Sequence, residues 1–248
     1  MQSGKEVIEW IHSLLPFGVK PGLKRMEWML SRLDNPEQEV KAVHVAGTNG
    51  KGSTISFMRH VLEASGYQVG TFTSPYIERF EERISLNGSP IEEEALVYCA
   101  KKVRPLVDEL AETELGTPTE FEVITVIGFE YFARIAKPDI VLLEVGLGGR
   151  FDSTNVIQPI LSVITSIGHD HMHILGETIE EIAAEKAGII KDSIPVISGV
   201  REAKACTVIE EIAKKKNAVM YQLDRDFSYK QLAYSEKTQF FFLSFTVE

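Results

Sequence analysis

The chain has 248 residues, 44% of them hydrophobic and 25% charged, the proportions of a soluble globular fold with a sizeable core. A formal net charge of -10 repels nucleic-acid phosphates, so neither DNA nor RNA is an expected partner. No apolar run approaches the roughly 18 residues of a membrane span, and Met1–Glu6 leads into no uninterrupted apolar stretch, so no membrane partner and no signal peptide are expected. Cys99 and Cys206, far apart in sequence, read as the reduced thiols of a cytoplasmic protein.

Along the chain, amphipathic patterns predict helices over Lys5–Leu15 and Leu23–Leu33 and then a strand over Ala42–Ala46. A helix over Gly52–Ser65 and a strand over Val69–Thr73 follow. Helices over Glu92–Leu115 and Glu120–Ala136 lead to strands over Ile140–Val145 and Leu161–Thr165. Thr178–Ile190 reads as a helix, Pro195–Ser198 as a strand and Glu202–Lys216 as the last helix. Length permits one large α/β domain or two small ones. Strands alternating with helices imply parallel pairing, hence an α/β fold with a doubly wound, mostly parallel sheet. Ligands of such sheets gather beyond the carboxyl ends of the strands. The segments rich in chemistry, Gly47–Ser53, Ser74–Arg83, Glu144–Asn155 and Gly168–His173, all follow predicted strands. The run Gln239–Glu248 is strongly β-prone. It reads either as an edge strand paired within the domain or as the start of a continuation; Phe240–Val247, left bare, would favour association.

Val43-His44-Val45-Ala46 runs into Gly47-Thr48-Asn49-Gly50-Lys51-Gly52-Ser53-Thr54 and then a helical stretch, the strand–glycine loop–helix order of a phosphate site. Glycines let backbone amides turn inward, and the helix N-terminus adds partial positive charge. Lys51 supplies a full charge, and Ser53 or Thr54 offers a hydroxyl to Mg²⁺. The match to the standard P-loop is imperfect, with Val45 where the leading glycine belongs and Gly52 where Ser or Thr belongs.

Glu144 ends an apolar strand, where a carboxylate is costly unless it is paired, on a metal or just emerging into solvent. The loop after it, Gly146–Asn155, has glycines for close approach and charge at Arg150 and Asp152. His169, His171 and His173 alternate after the strand Leu161–Thr165. Such a pattern suggests zinc, but the phosphate loop asks for a hard ion, so Mg²⁺ with Glu, Ser and His ligands is the expected metal. Lys186 shares a helical face with Ile179 and Ile182, in a helix opened by a Thr178–Glu181 capping box. From the pattern it snorkels to the rim; held inside, it would be a neutral amine available for chemistry.

Taken together, Gly47-Thr-Asn-Gly-Lys-Gly-Ser-Thr54, Thr73-Ser-Pro-Tyr76, Glu82-Arg-Ile84, Glu144-Val-Gly-Leu-Gly-Gly-Arg-Phe-Asp-Ser-Thr-Asn155, Gly168-His-Asp-His171 and Glu185-Lys-Ala-Gly-Ile-Ile-Lys191 resemble the amino-terminal ATPase domain of the folylpolyglutamate synthase/dihydrofolate synthase family, within the Mur ligase superfamily. The resemblance covers roughly residues 1–223, and its phosphate loop departs from the standard pattern in the same two ways. It implies a Mur-ligase central-domain fold over 1–223, with 224–248 as a truncated continuation or edge strands and a carboxy-terminal glutamate-ligase domain absent.

The resemblance further implies ATP on Gly47, Thr48, Asn49, Gly50, Lys51, Gly52 and Ser53. Mg²⁺ would sit on Ser74, Glu144 and His171, with Ser53 near a second position. Lys51, Lys186 and His171 would be catalytic, and Lys186, carbamylated, would not snorkel. Pro75, Tyr76, Arg83, Thr119, Glu120, Arg150, Asp152 and Asn155 would face the folate. The implied activity is ATP-dependent amide ligation of L-glutamate to folates through an acyl phosphate. Another Mur-type ligase acting on cell-wall precursors, and a nucleotide-binding fragment without turnover, are the alternative readings.

Overall fold

A computed structural model describes residues 1–18, 20–169, 171–234 and 239–246. Ser3 caps the first helix, α1 (Gly4–His12), its hydroxyl accepting the Glu6 N–H at 3.3 Å, and Val7 and Ile11 form the buried stripe. α2 (Lys24–Ser31) buries Met26, Met29 and Leu30. β1 (Ala42–Ala46) is buried at every position, leads into α3 (Lys51–Ala64), and is followed by β2 (Val69–Phe72). Two short strands, β3 (Ile84–Leu86) and β4 (Ser89–Pro90), precede α4 (Glu93–Ala111) and α5 (Glu120–Tyr131). Then come β5 (Ile140–Glu144), β6 (Leu161–Ile164), the short α6 (Met172–Leu175), α7 (Ile179–Lys186), β7 (Val196–Ser198), α8 (Ala203–Lys215) and β8 (Met220–Gln222). A hairpin of β9 (Phe227–Tyr234) and β10 (Gln239–Phe245) ends the described chain.

The main sheet has eight strands in the order β4-β3-β2-β5-β1-β6-β7-β8. The strands β2-β5-β1-β6-β7-β8 pair in parallel, while β3 and β4 are antiparallel additions at one edge. Ala42, Val141 and Leu143 share a face of the sheet and pack into the large core made with α1, α2, α4 and α5. Ala46, Val145 and Ile164 continue that face toward α7 and α8. The other parity, Val43, Val45, Leu142 and Val163, packs on α3 through Ile55. The alternation of buried side chains across a fully buried strand thus divides the layers, as a sheet covered on both faces requires.

The doubly wound, mostly parallel sheet is as expected, and each expected strand lies within one residue of an observed one. Several ends differ. Pro16 turns Leu15–Phe17 into a 3-10 turn, so the first helix stops at His12. The expected helix to Ala136 is α5 followed by a π turn, Phe132–Ala136, that ends where Lys137 turns left-handed before Pro138. The last turn of the expected Thr178–Ile190 helix tightens to 3-10 at Ala187–Ile189. The capping box forms: Glu181 N–H donates to Thr178 Oγ1 at 3.2 Å, and Thr178 N–H donates to Glu181 Oε2 at 3.1 Å.

The β-prone end is not an edge strand of the main sheet. Gln239–Phe245 pairs antiparallel with Phe227–Tyr234 in a separate two-stranded sheet, leaving β8 as the edge of the main one. Val247, the end of the run expected to favour association, and Asp170, within the histidine run, lie outside the described residues.

Candidate active site

Two neighbouring features lie beyond the carboxyl ends of β1, β2, β5 and β6. The first is the loop from Gly47 to Ser53. At Gly47 φ is +150°, and a Cβ there would sit 2.0 Å from Thr165 Oγ1, so no other residue fits without moving β6's end. Gly50 is left-handed at φ 85° and caps α3. The N–H groups at the start of α3 have no carbonyl ahead of them in the helix, and they point into the loop with the positive end of the helix dipole. Lys51 Nζ donates to Gly47 O at 3.0 Å and lies across this concavity. Asn49, Gly50, Gly52 and Ser53 are exposed at its rim.

The loop is clamped from the strand next to it, by Thr165 and Ser166, which motif reading did not single out, and by Gly168, which it did. Thr165 Oγ1 donates to Asn49 O at 2.7 Å, Asn49 N–H donates to Ser166 Oγ at 3.0 Å, and Thr48 N–H donates to Ser166 O at 2.8 Å. Gly168 N–H donates to Thr48 Oγ1 at 3.0 Å. The signal available was position: Thr165 and Ser166 immediately follow β6, the parallel neighbour of β1.

Glu144 does not emerge into solvent; it is 5% exposed at the end of β5. Its Oε2 accepts the Ser74 N–H at 3.2 Å, and a Cβ placed on Gly52 would lie 3.8 Å from the same oxygen. The carboxylate therefore sits between the Ser74 loop and the first turn of α3. Burial pushes its pKa up, against the pull of the Ser74 hydrogen bond and the Lys51 charge.

Lys186 does not snorkel either. It is 2% exposed, and its Nζ donates to Gly47 O at 3.2 Å, directly beneath the Gly47–Ser53 loop. A Cβ on Gly149 would meet Lys186 O at 2.7 Å, so that glycine lets the loop after β5 close onto α7. His171, with φ 43°, opens α6 and is exposed. Among the described residues no three His, Cys, Asp or Glu side chains converge as a metal cluster, a zinc-like set included. A set of one carboxylate, one imidazole and serine hydroxyls falls outside that description.

The second feature is a cavity of about 510 Å³ on the α5 and α7 side of the same strand ends. It brings together five of the expected residues, Ser74, Pro75, Arg83, Thr119 and Asp152. Arg83 is buried, its Nη2 lies 3.6 Å from Glu120 Oε1, and its buried Nε has no hydrogen-bond partner among the described residues. Asp152 accepts the Leu147 N–H at 2.9 Å and the Thr154 N–H at 3.0 Å; burial pushes its pKa up. Phe121, Leu147 and Leu175 supply apolar walls, and Lys20 and Glu185 stand at the lining. Phe121 adjoins the expected Thr119 and Glu120, and Leu147 and Glu185 fall inside segments the sequence had marked; Lys20 and Leu175 carry no such signal.

The other expected folate-side residues do not line this cavity. Tyr76 packs on the core, its ring 5.9 Å from that of Phe80 and beneath the Arg83 guanidinium. Glu120 acts on Arg83 and stands 4.0 Å from His12 Nε2. Arg150 turns outward toward Glu185 and Phe151. Asn155 is spent on structure, its amide donating to Arg150 O at 3.0 Å and Gly188 O at 3.1 Å.

The family model of the Mur ligase middle domain matches residues 45–246. A dihydrofolate synthase/folylpolyglutamate synthase of Bacillus subtilis is 56% identical over 86% of this chain and 50% of its own length. The crystal structure of a folylpolyglutamate synthase from Thermotoga maritima superposes with a TM-score of 0.89 at 41% identity, over 97% of this chain and 54% of that one. An FPGS–AMPPCP–folate complex superposes with a TM-score of 0.85 at 39% identity, over 94% of this chain and 57% of that one. The chain thus spans about half the length of the curated relatives it matches.

Proposed function

This chain belongs to the Mur ligase family, and we propose that it carries the ATP-binding and folate-side half of an amide ligase that adds L-glutamate to folates. The observation that carries this reading is the juxtaposition of a helix-capped phosphate loop, a buried carboxylate at Glu144 and an apolar-walled cavity reaching from Ser74 to Asp152. The comparisons support the same choice of ligands, since a similar protein is found with an ATP analogue and folate together. Dihydropteroate and reduced folates are the acceptor class. The cytoplasm is the expected place, in keeping with the free thiols of Cys99 and Cys206.

In the proposed reaction an acceptor carboxylate oxygen attacks the γ-phosphorus of ATP. The bond to the leaving ADP breaks, and an acyl phosphate forms. The amine of L-glutamate then attacks the acyl carbon; phosphate leaves with the bonding pair, the nitrogen gives up a proton, and an amide remains. Bringing two anions together is the main obstacle, so the site must neutralise charge before the reaction starts. The α3 amides and Lys51 do this on the nucleotide side and fix the γ-phosphate relative to the loop. Arg83, at the cavity wall, does it on the acceptor side. The apolar surfaces of Phe121, Leu147 and Leu175 exclude water that would otherwise hydrolyse the activated acid.

The residues present fit Mg²⁺. Glu144 is a buried carboxylate whose charged form is disfavoured by its surroundings, and a cation beside it would offset that penalty. Ser74, Glu144 and His171 would hold the ion, with Ser53 near a second position, and Mg²⁺ would supply neutralisation of the terminal phosphates. The carbamylation that the family resemblance implies for Lys186 would occur at a buried side chain beside Gly47 O. Calorimetric titration of the chain with ATP, dihydropteroate and tetrahydrofolate, each with and without Mg²⁺, tests the reading. Saturable, Mg²⁺-dependent ATP binding together with binding of a pterin-linked carboxylate is expected; a chain that binds neither would overturn it.

A further inference from the structure

Behind the cavity lies a histidine that the proposed reaction does not use. His44 sits in the middle of β1, fully buried, on the face shared with α5 and α7. Its Nε2 is 2.8 Å from Thr154 Oγ1. The Thr154 hydroxyl donates to Asp152 Oδ1, and the Thr154 N–H donates to the same oxygen at 3.0 Å. Asp152 in turn stands in the cavity wall. A line of hydrogen bonds therefore runs from the centre of the sheet to the acceptor cavity.

With the Asp152 carboxylate ionised, as both of its oxygens accept backbone N–H groups, the directions along this line follow from counting protons. A threonine hydroxyl has one hydrogen, and here it goes to Asp152. Thr154 Oγ1 can then only accept from His44, so Nε2 must carry the ring proton. Nδ1 is left as a bare acceptor, in keeping with its having no hydrogen-bond partner among the described residues. Burial, aided by the Lys191 charge, lowers the His44 pKa to about 3, so the ring stays neutral and keeps this single proton. A buried neutral imidazole of fixed tautomer is a donor held in one place.

We infer that His44 is a positioning residue for the acceptor site, acting through Thr154 to hold the Asp152 carboxylate in one rotamer against the cavity. This rests on the reading of the cavity as the acceptor site. The alternative role, a satisfied filler of the strand core, makes different demands on the side chain. A filler needs volume; a positioning residue needs a donor at the Nε2 position. Gln places its amide nitrogen near Nε2, whereas Asn places it near Nδ1 and falls short of Thr154. Val matches Thr in shape but has no hydroxyl, and Ser keeps the hydroxyl.

The test is the affinity of 7,8-dihydropteroate and, separately, of ATP for the full chain and four variants. His44→Asn and Thr154→Val are expected to weaken dihydropteroate binding about tenfold, the scale of one lost buried hydrogen bond. His44→Gln and Thr154→Ser should stay close to the unaltered chain, and ATP affinity should be unchanged in all four. Folded His44→Asn and Thr154→Val with unaltered dihydropteroate affinity would overturn the inference. An unaltered chain that binds ATP but no dihydropteroate would overturn the acceptor reading itself, and this inference with it. Nitrogen-15 NMR of the unaltered chain gives a readout that needs no variant and no ligand. His44 is expected as the Nε2–H tautomer at neutral pH, and an Nδ1–H ring would contradict the chain of donors.

Discussion

On the proposed nucleotide side of the cleft, one unbroken stretch of chain, Gly47 to Thr54, supplies the turn, the inward amides and the cation, and Thr165 and Ser166 merely hold it in place. On the proposed acceptor side, the wall is assembled from side chains of separate segments: Ser74 and Arg83 after β2, Thr119 and Phe121 at the start of α5, Leu147 and Asp152 after β5, Leu175 in α6. Backbone amides recognise a group common to all nucleotides and depend little on side-chain identity. A side-chain wall is shaped to one ligand and can be altered a residue at a time. The two sides should therefore fail separately, the first through charge and backbone geometry, the second through individual contacts.

The largest effect is expected from Lys51→Ala. Removing a cation from a phosphate site should weaken ATP binding about a hundredfold, with thermal unfolding and dihydropteroate affinity unchanged in the same calorimetric series. A parallel loss of acceptor affinity would break the separation. Next is Glu144→Gln, which should cost about tenfold in Mg²⁺-dependent ATP affinity and little in its absence. Equal losses with and without Mg²⁺ would point to damaged folding instead.

The same substitution sharpens the comparison through pH. The Glu144 pKa is raised by burial from its ordinary value of 4.5, so the stability the group contributes is complete below that value and is lost as pH rises through the folded one. Without metal, Glu144→Gln should melt higher than the unaltered chain at neutral pH, and the gap should close on acidification. A gap that widens in acid would reverse the assigned sign.

On the acceptor side, Arg83→Met should lower dihydropteroate affinity about tenfold through loss of a charged hydrogen-bond donor, with ATP affinity intact. The smallest effect is expected from Thr119→Ala. Thr119 N–H donates to Glu122 Oε2 at 2.7 Å and its hydroxyl accepts the Glu122 N–H at 3.2 Å, so its loss should cost about 1 kcal/mol in denaturant unfolding and leave ATP binding unchanged.

The same contrast explains what could be read in advance. The phosphate loop is contiguous, so its chemistry and its place after a strand were both visible, as was the α/β alternation that builds the sheet. Glu144 stood out as a carboxylate ending an apolar run. Leu175 did not, because an apolar wall and an apolar core look alike until the layers are in place. β3, β4 and β8 are too short to show an alternation. Lys186 was misjudged by pattern, since helical spacing gives a face but not the depth at which that face is buried. Asn155 lay within a loop rich in chemistry, yet its amide closes the loop onto Gly188 rather than facing the cavity.

Hydrogen–deuterium exchange of the full chain, with the nonhydrolysable analogue AMPPCP plus Mg²⁺ in one arm and dihydropteroate in the other, tests most directly whether one cleft holds two separately built sides. The nucleotide should slow exchange over Gly47–Ser53 and at the clamping turn after β6, and dihydropteroate should slow it over Thr119–Phe121 and Gly146–Thr154. A nucleotide footprint that leaves Gly47–Ser53 unprotected, or two ligands protecting the same amides, would contradict the account.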